Sequence, residues 1–231
     1  MASLMKYIYI VLGLYVADAI ISLAFLSTMV AFLHTAGAGP FNVDFPAGQT
    51  FRMAGEPLKL LTNHGHTTNG AGGTAVVIVG FGGLIALIME HKSRKKYGKS
   101  SAAFLPWVIF VVLSWLLVLT ALIYTYVLQS RTGKQVIDLT DLSQNPYPAK
   151  YPLDSWTPEN WYKEVLNLPL ADDKDRVIIA YVLRIMRGWK YNLIAFFLVG
   201  FVLSCLAVAE LLRSRKQGAK YGRTPQYVDH K

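Results

Sequence analysis

Cysteine is nearly absent. Cys205 is the only one among 231 residues, so no disulfide forms within the chain and a cysteine-stapled fold is excluded. Charge is scarce as well: Lys, Arg, Asp and Glu make up 16% of the chain, against about 25% in soluble domains. That deficit argues against an ordinary water-soluble enzyme, and the 53% of apolar residues excludes a disordered chain. None of Asn42, Asn63, Asn69, Asn145, Asn160, Asn167 and Asn192 opens an Asn-x-Ser/Thr acceptor. A phosphate-binding glycine loop, Gly-x-Ser-x-Gly, His-Glu-x-x-His and Cys-x-x-Cys-His are all missing, so no motif names a reaction.

The chain has instead four long apolar blocks, at about 7–33, 72–89, 104–128 and 191–212. A membrane-crossing helix needs about 20 mostly apolar residues, and none of the blocks alternates with the period of a strand. The first run is longer than the roughly 7–15 residues of a secretory signal, so it is expected to stay as an uncleaved anchor helix. The expected fold is an all-α membrane protein: one four-span domain over residues 1–231, a transmembrane four-helix bundle with a small ordered extracellular cap.

Direction follows from the basic residues. The link 91–101 holds Lys92, Arg94, Lys95, Lys96 and Lys99, and the tail 213–231 holds Arg213, Arg215, Lys216, Lys220, Arg223 and Lys231. With Lys6 this makes twelve basic residues against Glu90, Glu210 and Asp229. The loops 34–71 and 130–190 are close to balanced, the second with nine basic and eight acidic residues. Both termini and the short link are therefore expected in the cytoplasm, and both long loops outside, with the plasma membrane the expected location. The formal charge of +9 then lies on the cytoplasmic face, which points to anionic lipid rather than nucleic acid. The expected lipid contacts are Lys92, Arg94, Lys95, Lys96, Lys99, Arg213, Arg215 and Lys216. Ser-Arg-Lys followed by Lys-Tyr-Gly and a basic residue occurs in both basic segments, and phosphorylation of Tyr97, Ser100, Tyr221 or Thr224 would weaken the attraction.

Asp18 is the one ionisable side chain deep in a span. A charged acid at a helix centre costs about 2.5–3.5 kcal/mol on insertion scales, so it is expected to face protein. It serves a proton or cation path, meets a hydroxyl such as Ser22, Ser114 or Ser204 as a neutral acid, or makes a polar contact at a subunit seam. Small residues at four-residue spacing, Gly13 with Ala17, Gly82 with Ala86 and Gly200 with Ser204, mark faces for close helix approach. Gly80, Gly82 and Gly83 make the second span the expected central or subunit-contacting helix.

In the first outer loop Phe41, Val43, Phe45 and Phe51 suggest a short strand pair or an ordered, turn-rich loop. His64 and His66 would share one face of a strand, with His34 as a third candidate. That is too few ligands at defined spacing for a metal centre, and neither metal nor cofactor is expected. In the second loop Thr157-Pro158-Glu159 reads as helix cap, first-turn proline and first-turn acid. The helix over 158–168 carries Trp161, Val165 and Leu168 on one face. With Trp156, these are the expected interaction residues of the loop, set against the chain's own outer surface, the bilayer or a neighbouring subunit. Asp172 and Asp173 offer a further helix start. Val177, Ile178, Tyr181, Val182, Ile185 and Trp189 continue from there at helical spacing, so the fourth span is expected to project several turns beyond the bilayer.

Two inside termini, a short inner loop and two outer loops resemble the topology of the claudin, MARVEL and related fungal four-span groups, although the claudin-type outer Trp-Gly-Leu-Trp does not occur here. The stretch Trp156-Thr157-Pro158-Glu159-Asn160-Trp161 with Leu168-Pro169-Leu170 is similar to a pattern in four-span membrane proteins of filamentous fungi. The topological resemblance implies an organiser of plasma-membrane domains or junctions; the pattern in the second loop brings no assigned activity. The leading expectation is a non-catalytic scaffold or accessory subunit that self-associates or joins a larger membrane complex. The alternative is a small ion or proton channel or transporter using Asp18.

Overall fold

The computed structural model describes residues 4–45 and 48–221, with side chains as far as residue 216. Arg223, Thr224, Asp229 and Lys231 lie outside the described residues, as do the side chains of Lys220 and Tyr221. The chain is mostly helical. Helix α1 spans Met5–Leu33, α2 Asn63–Thr74, α3 Gly82–Tyr97, α4 Phe104–Thr132, α5 Leu139–Gln144, α6 Pro158–Val165 and α7 Asp173–Tyr221; β1 is Phe41–Asp44 and β2 Thr50–Met53. Ala75–Phe81 is π-helical and joins α2 to α3.

Four helical segments are long and apolar enough to cross a membrane: Met5–Leu33, Asn63–Tyr97, Phe104–Thr132 and Asp173–Lys216. Only 28% of the most apolar window of the first is buried within the chain, and no more than 39% of any of the four. Ile10, Leu14, Phe81, Leu113, Ile123 and Phe201 are among the large apolar side chains left exposed. Such outward-facing apolar surface is stable only against hydrocarbon or further protein.

The second helical segment is longer than the apolar block 72–89 because hydropathy marks only the stretch that needs lipid. The polar residues 63–71 and the basic residues 91–97, expected in loops, continue the same backbone hydrogen bonding. The helix stops at Gly98, whose φ of +64° supplies the left-handed C-cap. The fourth helix likewise begins far ahead of its apolar block, at Asp173, where Asp172 accepts from the Lys174 amide at 2.8 Å.

The chain divides into two compact units. The first comprises 1–20, 71–119 and 195–231. Its interior is made of side chains such as Ile8, Tyr15, Val79, Leu87, Val111 and Phe196. The Tyr15 hydroxyl shares a 2.9 Å hydrogen bond with Ser114, and its ring lies 4.9 Å from that of Phe196.

The second unit comprises 21–70 and 120–194, and so contains almost all of both expected outer loops. The strand pair expected in the first loop is present: β1 and β2 are antiparallel, with Phe41 opposite Met53 and Asp44 opposite Thr50. The hairpin is tied by Thr50 Oγ1 donating to Asp44 at 2.7 Å, and single bridges join Val43 to Leu170 and Leu60 to Trp156. Thr157 caps α6 by accepting from the Asn160 amide, with Pro158 in the first turn.

Candidate functional site

In the first unit, three of the expected small-residue positions are used up by neighbours within the chain. A Cβ on Gly80 would lie 2.7 Å from Val16, one on Gly200 2.7 Å from the Tyr15 ring, and one on Gly83 would run into the Trp107 indole. Trp107 donates its indole N–H to the Val79 carbonyl at 3.1 Å, inside the π-helical stretch. Ala86 and Ser204 are buried. Gly82 is half-buried, with nothing closer than 3.8 Å to a Cβ placed on it. Gly13 and Ala17 differ: both are exposed, and a Cβ on Gly13 would meet nothing. Asp18, half-buried, is next in sequence but lies about 100° around the helix from Ala17, off this open face. Two hydroxyls considered for Asp18 have partners of their own: Ser114 shares its bond with Tyr15, and Ser22 accepts from Asn192 at 2.7 Å.

The basic residues of the link and the tail do not act as one uniform cluster. Arg94 donates from Nε to Glu90 at 2.6 Å and from Nη1 to Glu210. Both glutamates are buried, at 0% and 1% exposure. Glu90 also accepts from Ser100 Oγ at 2.7 Å and from the Ser101 amide at 2.6 Å, which pins the turn between α3 and α4 to the end of α3. Arg94, expected among the lipid contacts, is thus the shared counter-ion of two buried carboxylates. Buried charges must be paired and hydrogen-bonded; one guanidinium with several donors reaches both carboxylates, and Arg213 lies 3.9 Å from the second oxygen of Glu210. The remaining basic residues border this knot. A cavity of about 290 Å³ beside it is lined in part by Lys99, Ser100, Ser214, Arg215, Leu105 and Leu211. Lys92, Lys95 and Lys96 lie exposed on α3, with Arg213 half-buried and Lys216 exposed on α7.

In the second unit Trp156, Trp161, Val165 and Leu168 are all buried, at 0%, 0%, 0% and 6% exposure. Helix α6 is enclosed on nearly every side rather than on one stripe, since Asn160, Tyr162 and Glu164 are buried as well. The side chains compensate by hydrogen bonding to distant carbonyls. Trp161 donates to Gly55 at 2.7 Å, Tyr162 to Gly37 at 3.1 Å and Asn160 to Gln129 at 2.9 Å. Lys190 reaches Glu159 at 2.6 Å. Trp156, Trp161 and Tyr151 form one aromatic cluster, with ring centroids 5.4–6.4 Å apart. Burial raises the Tyr162 phenol far above its ordinary range, with the Glu56 charge adding to the effect, and burial also raises Tyr151. These contacts supply the tying-together that disulfides would give in a cysteine-rich loop.

His64 and His66 stand in the first turns of α2, not on a strand. At i, i+2 on a helix two side chains point apart, so the shared face expected of them is lost. Among the described residues no group of three or more His, Cys, Asp or Glu is placed to hold a metal ion.

Sequence reasoning passed over Glu90, Glu210, Tyr15, Trp107, Asn160 and Tyr162. The available signal was the polar atom carried by each: an indole, phenol, amide or carboxylate in a buried helix has to find a partner. No protein-family model, curated protein or solved structure matches the chain.

Proposed function

We propose that the protein is a non-catalytic, multi-pass membrane protein that organises its membrane by associating with copies of itself or with a larger complex through α1. The observation that carries this is the contrast among the small residues. Gly80, Gly83 and Gly200 are filled by neighbours within the chain, while Gly13 and Ala17 form an open small-residue face on α1. In lipid, helices associate by close backbone approach and by polar contacts, and an acid near mid-span is better matched by protein than by hydrocarbon.

The same reading puts both termini and the basic link in the cytoplasm and the loops 34–71 and 130–190 outside, as an ordered cap. Support comes from the division of the chain: almost all of both long loops fall in one unit and the basic link in the other. The cavity bordered by Lys99 and Arg215, with Leu105 and Leu211 as its apolar part, suits an anionic lipid headgroup at the cytoplasmic surface.

The test is the mass of the protein in lipid nanodiscs, for the wild type and for Gly13→Leu/Ala17→Leu. An oligomer that the double variant breaks down supports the reading. A wild type that is monomeric and carries an ion current abolished by Asp18→Asn overturns it in favour of a channel.

A further inference from the structure

We infer that a cavity within the second unit is a binding site for an uncharged lipid with a hydroxyl head. Its volume, about 700 Å³, falls in the range of roughly 300–1,000 Å³ typical of small-molecule sites. Its lining divides by chemistry. From α1 come Leu26, Met29, Val30 and Leu33, with Ser27 the one polar residue of that helix in the lining; the four are spaced i, i+3, i+4 and i+7 and so lie on one apolar stripe. From the start of α2 come Thr62, Gly65, His66 and Asn69, with the same spacing and a polar character. The two come close at Gly65, where a Cβ would sit 3.6 Å from Leu26. A soluble polar molecule leaves the α1 stripe unmatched, and a plain hydrocarbon leaves the α2 stripe unmatched. An amphiphile matches both.

His64 specifies the head. It also lines the cavity, it is 2% exposed, and its Nδ1 is buried without a hydrogen-bond partner among the described residues. The ring is held in place against Trp189, with centroids 5.5 Å apart. A neutral imidazole nitrogen needs a donor in one tautomer and an acceptor in the other, and a hydroxyl serves either. A cationic head has no carboxylate to seek, because Glu56, the acid in the lining, is already paired with Lys150 at 3.0 Å.

A sterol and a monoacylglycerol share this chemistry. The purified full-length protein in nanodiscs is photolabelled with clickable diazirine analogues of each, and with a fatty-acid analogue as the charged comparison. Saturable labelling by the sterol or by the monoacylglycerol analogue, mapped to 26–34 or 56–69, is expected, and whichever probe saturates identifies the source. His64→Phe keeps the ring against Trp189 and removes the nitrogen, so labelling should fall about tenfold, the loss of one hydrogen bond. Val30→Trp, at a lining position 48% exposed, fills the cavity without disturbing a buried side chain and should abolish labelling; it decides the matter if the His64 variant does not fold. Absence of saturable labelling by both neutral probes, labelling unchanged in Val30→Trp, or equal labelling by the fatty acid overturns the assignment.

Discussion

Trp161 donates its indole N–H to the carbonyl of Gly55 at 2.7 Å, across 106 positions of sequence. Both residues are buried, and a Cβ on Gly55 would collide with the backbone carbonyls of Gly37 and Gly39. The carbonyl that accepts from Trp161 therefore belongs to a segment that only glycine allows to lie so close to its neighbours. Trp161→Phe keeps most of the ring but orphans the carbonyl, at a cost of about 1–3 kcal/mol. A fall of several degrees in the unfolding temperature in detergent is expected. An unchanged midpoint would mean that the bond contributes nothing.

Arg94 holds Glu90 and Glu210 together, and removing it leaves two buried carboxylates with Arg213, 3.9 Å from Glu210, as the remaining counter-charge. Loss of one partner of a buried pair typically costs about 3–5 kcal/mol, whereas replacing the whole set by neutral groups is often close to neutral. Arg94→Met should accordingly be strongly destabilising, and Glu90→Gln/Arg94→Met/Glu210→Gln should recover much of the loss. Thermal unfolding of the single and triple variants checks the order; a triple variant no better than the single one refutes the account.

The four spans were legible because an apolar run of about 20 residues, in a chain with so little charge, matches the thickness of a bilayer and exceeds what a small soluble core can bury. The cap of α6 was legible too, since Thr157 and Pro158 act on their own neighbours. What sequence left unread is convergence. Glu90 and Glu210 are 120 positions apart in the numbering, and nothing local says that both turn toward Arg94. The helical state of His64 and His66 was hidden for a related reason. A Gly- and Thr-rich polar stretch has weak helix propensity, and in the structure the 35-residue segment Asn63–Tyr97 carries it as a continuation of an apolar helix.

Lys92, Lys95, Lys96 and Lys99 are the proposed lipid contacts once Arg94 is assigned to the glutamates. Each basic group near an anionic surface is worth about 1 kcal/mol at physiological salt. Neutralising all four to Gln should weaken the association of reconstituted protein with anionic lipid, read from lipid co-purification with phosphatidylserine against phosphatidylcholine. Raising the salt should mimic the variant in the wild type. Lipid preference that is independent of both would remove these residues from the site.

Tyr162 gives a pH dependence with a defined sign. Burial raises its phenol above the ordinary value near 10, so at alkaline pH the unfolded chain loses its proton before the folded one does. The folded state then binds more protons, and stability falls as pH rises. The stabilisation is fully present below pH 10 and is lost progressively above it. Tyr162→Phe should be less stable at neutral pH, lacking the bond to Gly37, yet should show a shallower loss of stability on going from pH 9 to pH 11. Equal slopes for the two proteins would show that Tyr162 ionises as freely in the fold as outside it.

Gly83 and Gly13 separate packing inside the chain from packing between chains. Both are helical glycines in the first unit, and replacing either by alanine removes the same backbone freedom, a gain of up to about 1 kcal/mol in helix propensity in water. Their surroundings are opposite. A methyl at Gly83 meets the Trp107 indole, which cannot retreat without giving up its bond to Val79, while a methyl at Gly13 meets nothing. Gly83→Ala should therefore overpack the unit and destabilise the monomer by about 1–3 kcal/mol, with a lower unfolding temperature in detergent. Gly13→Ala should leave that temperature unchanged or raised, but weaken association between labelled copies in vesicles, read by energy transfer. If Gly13→Ala alters neither stability nor energy transfer, the open face of α1 is a lipid-facing surface and the self-association reading fails.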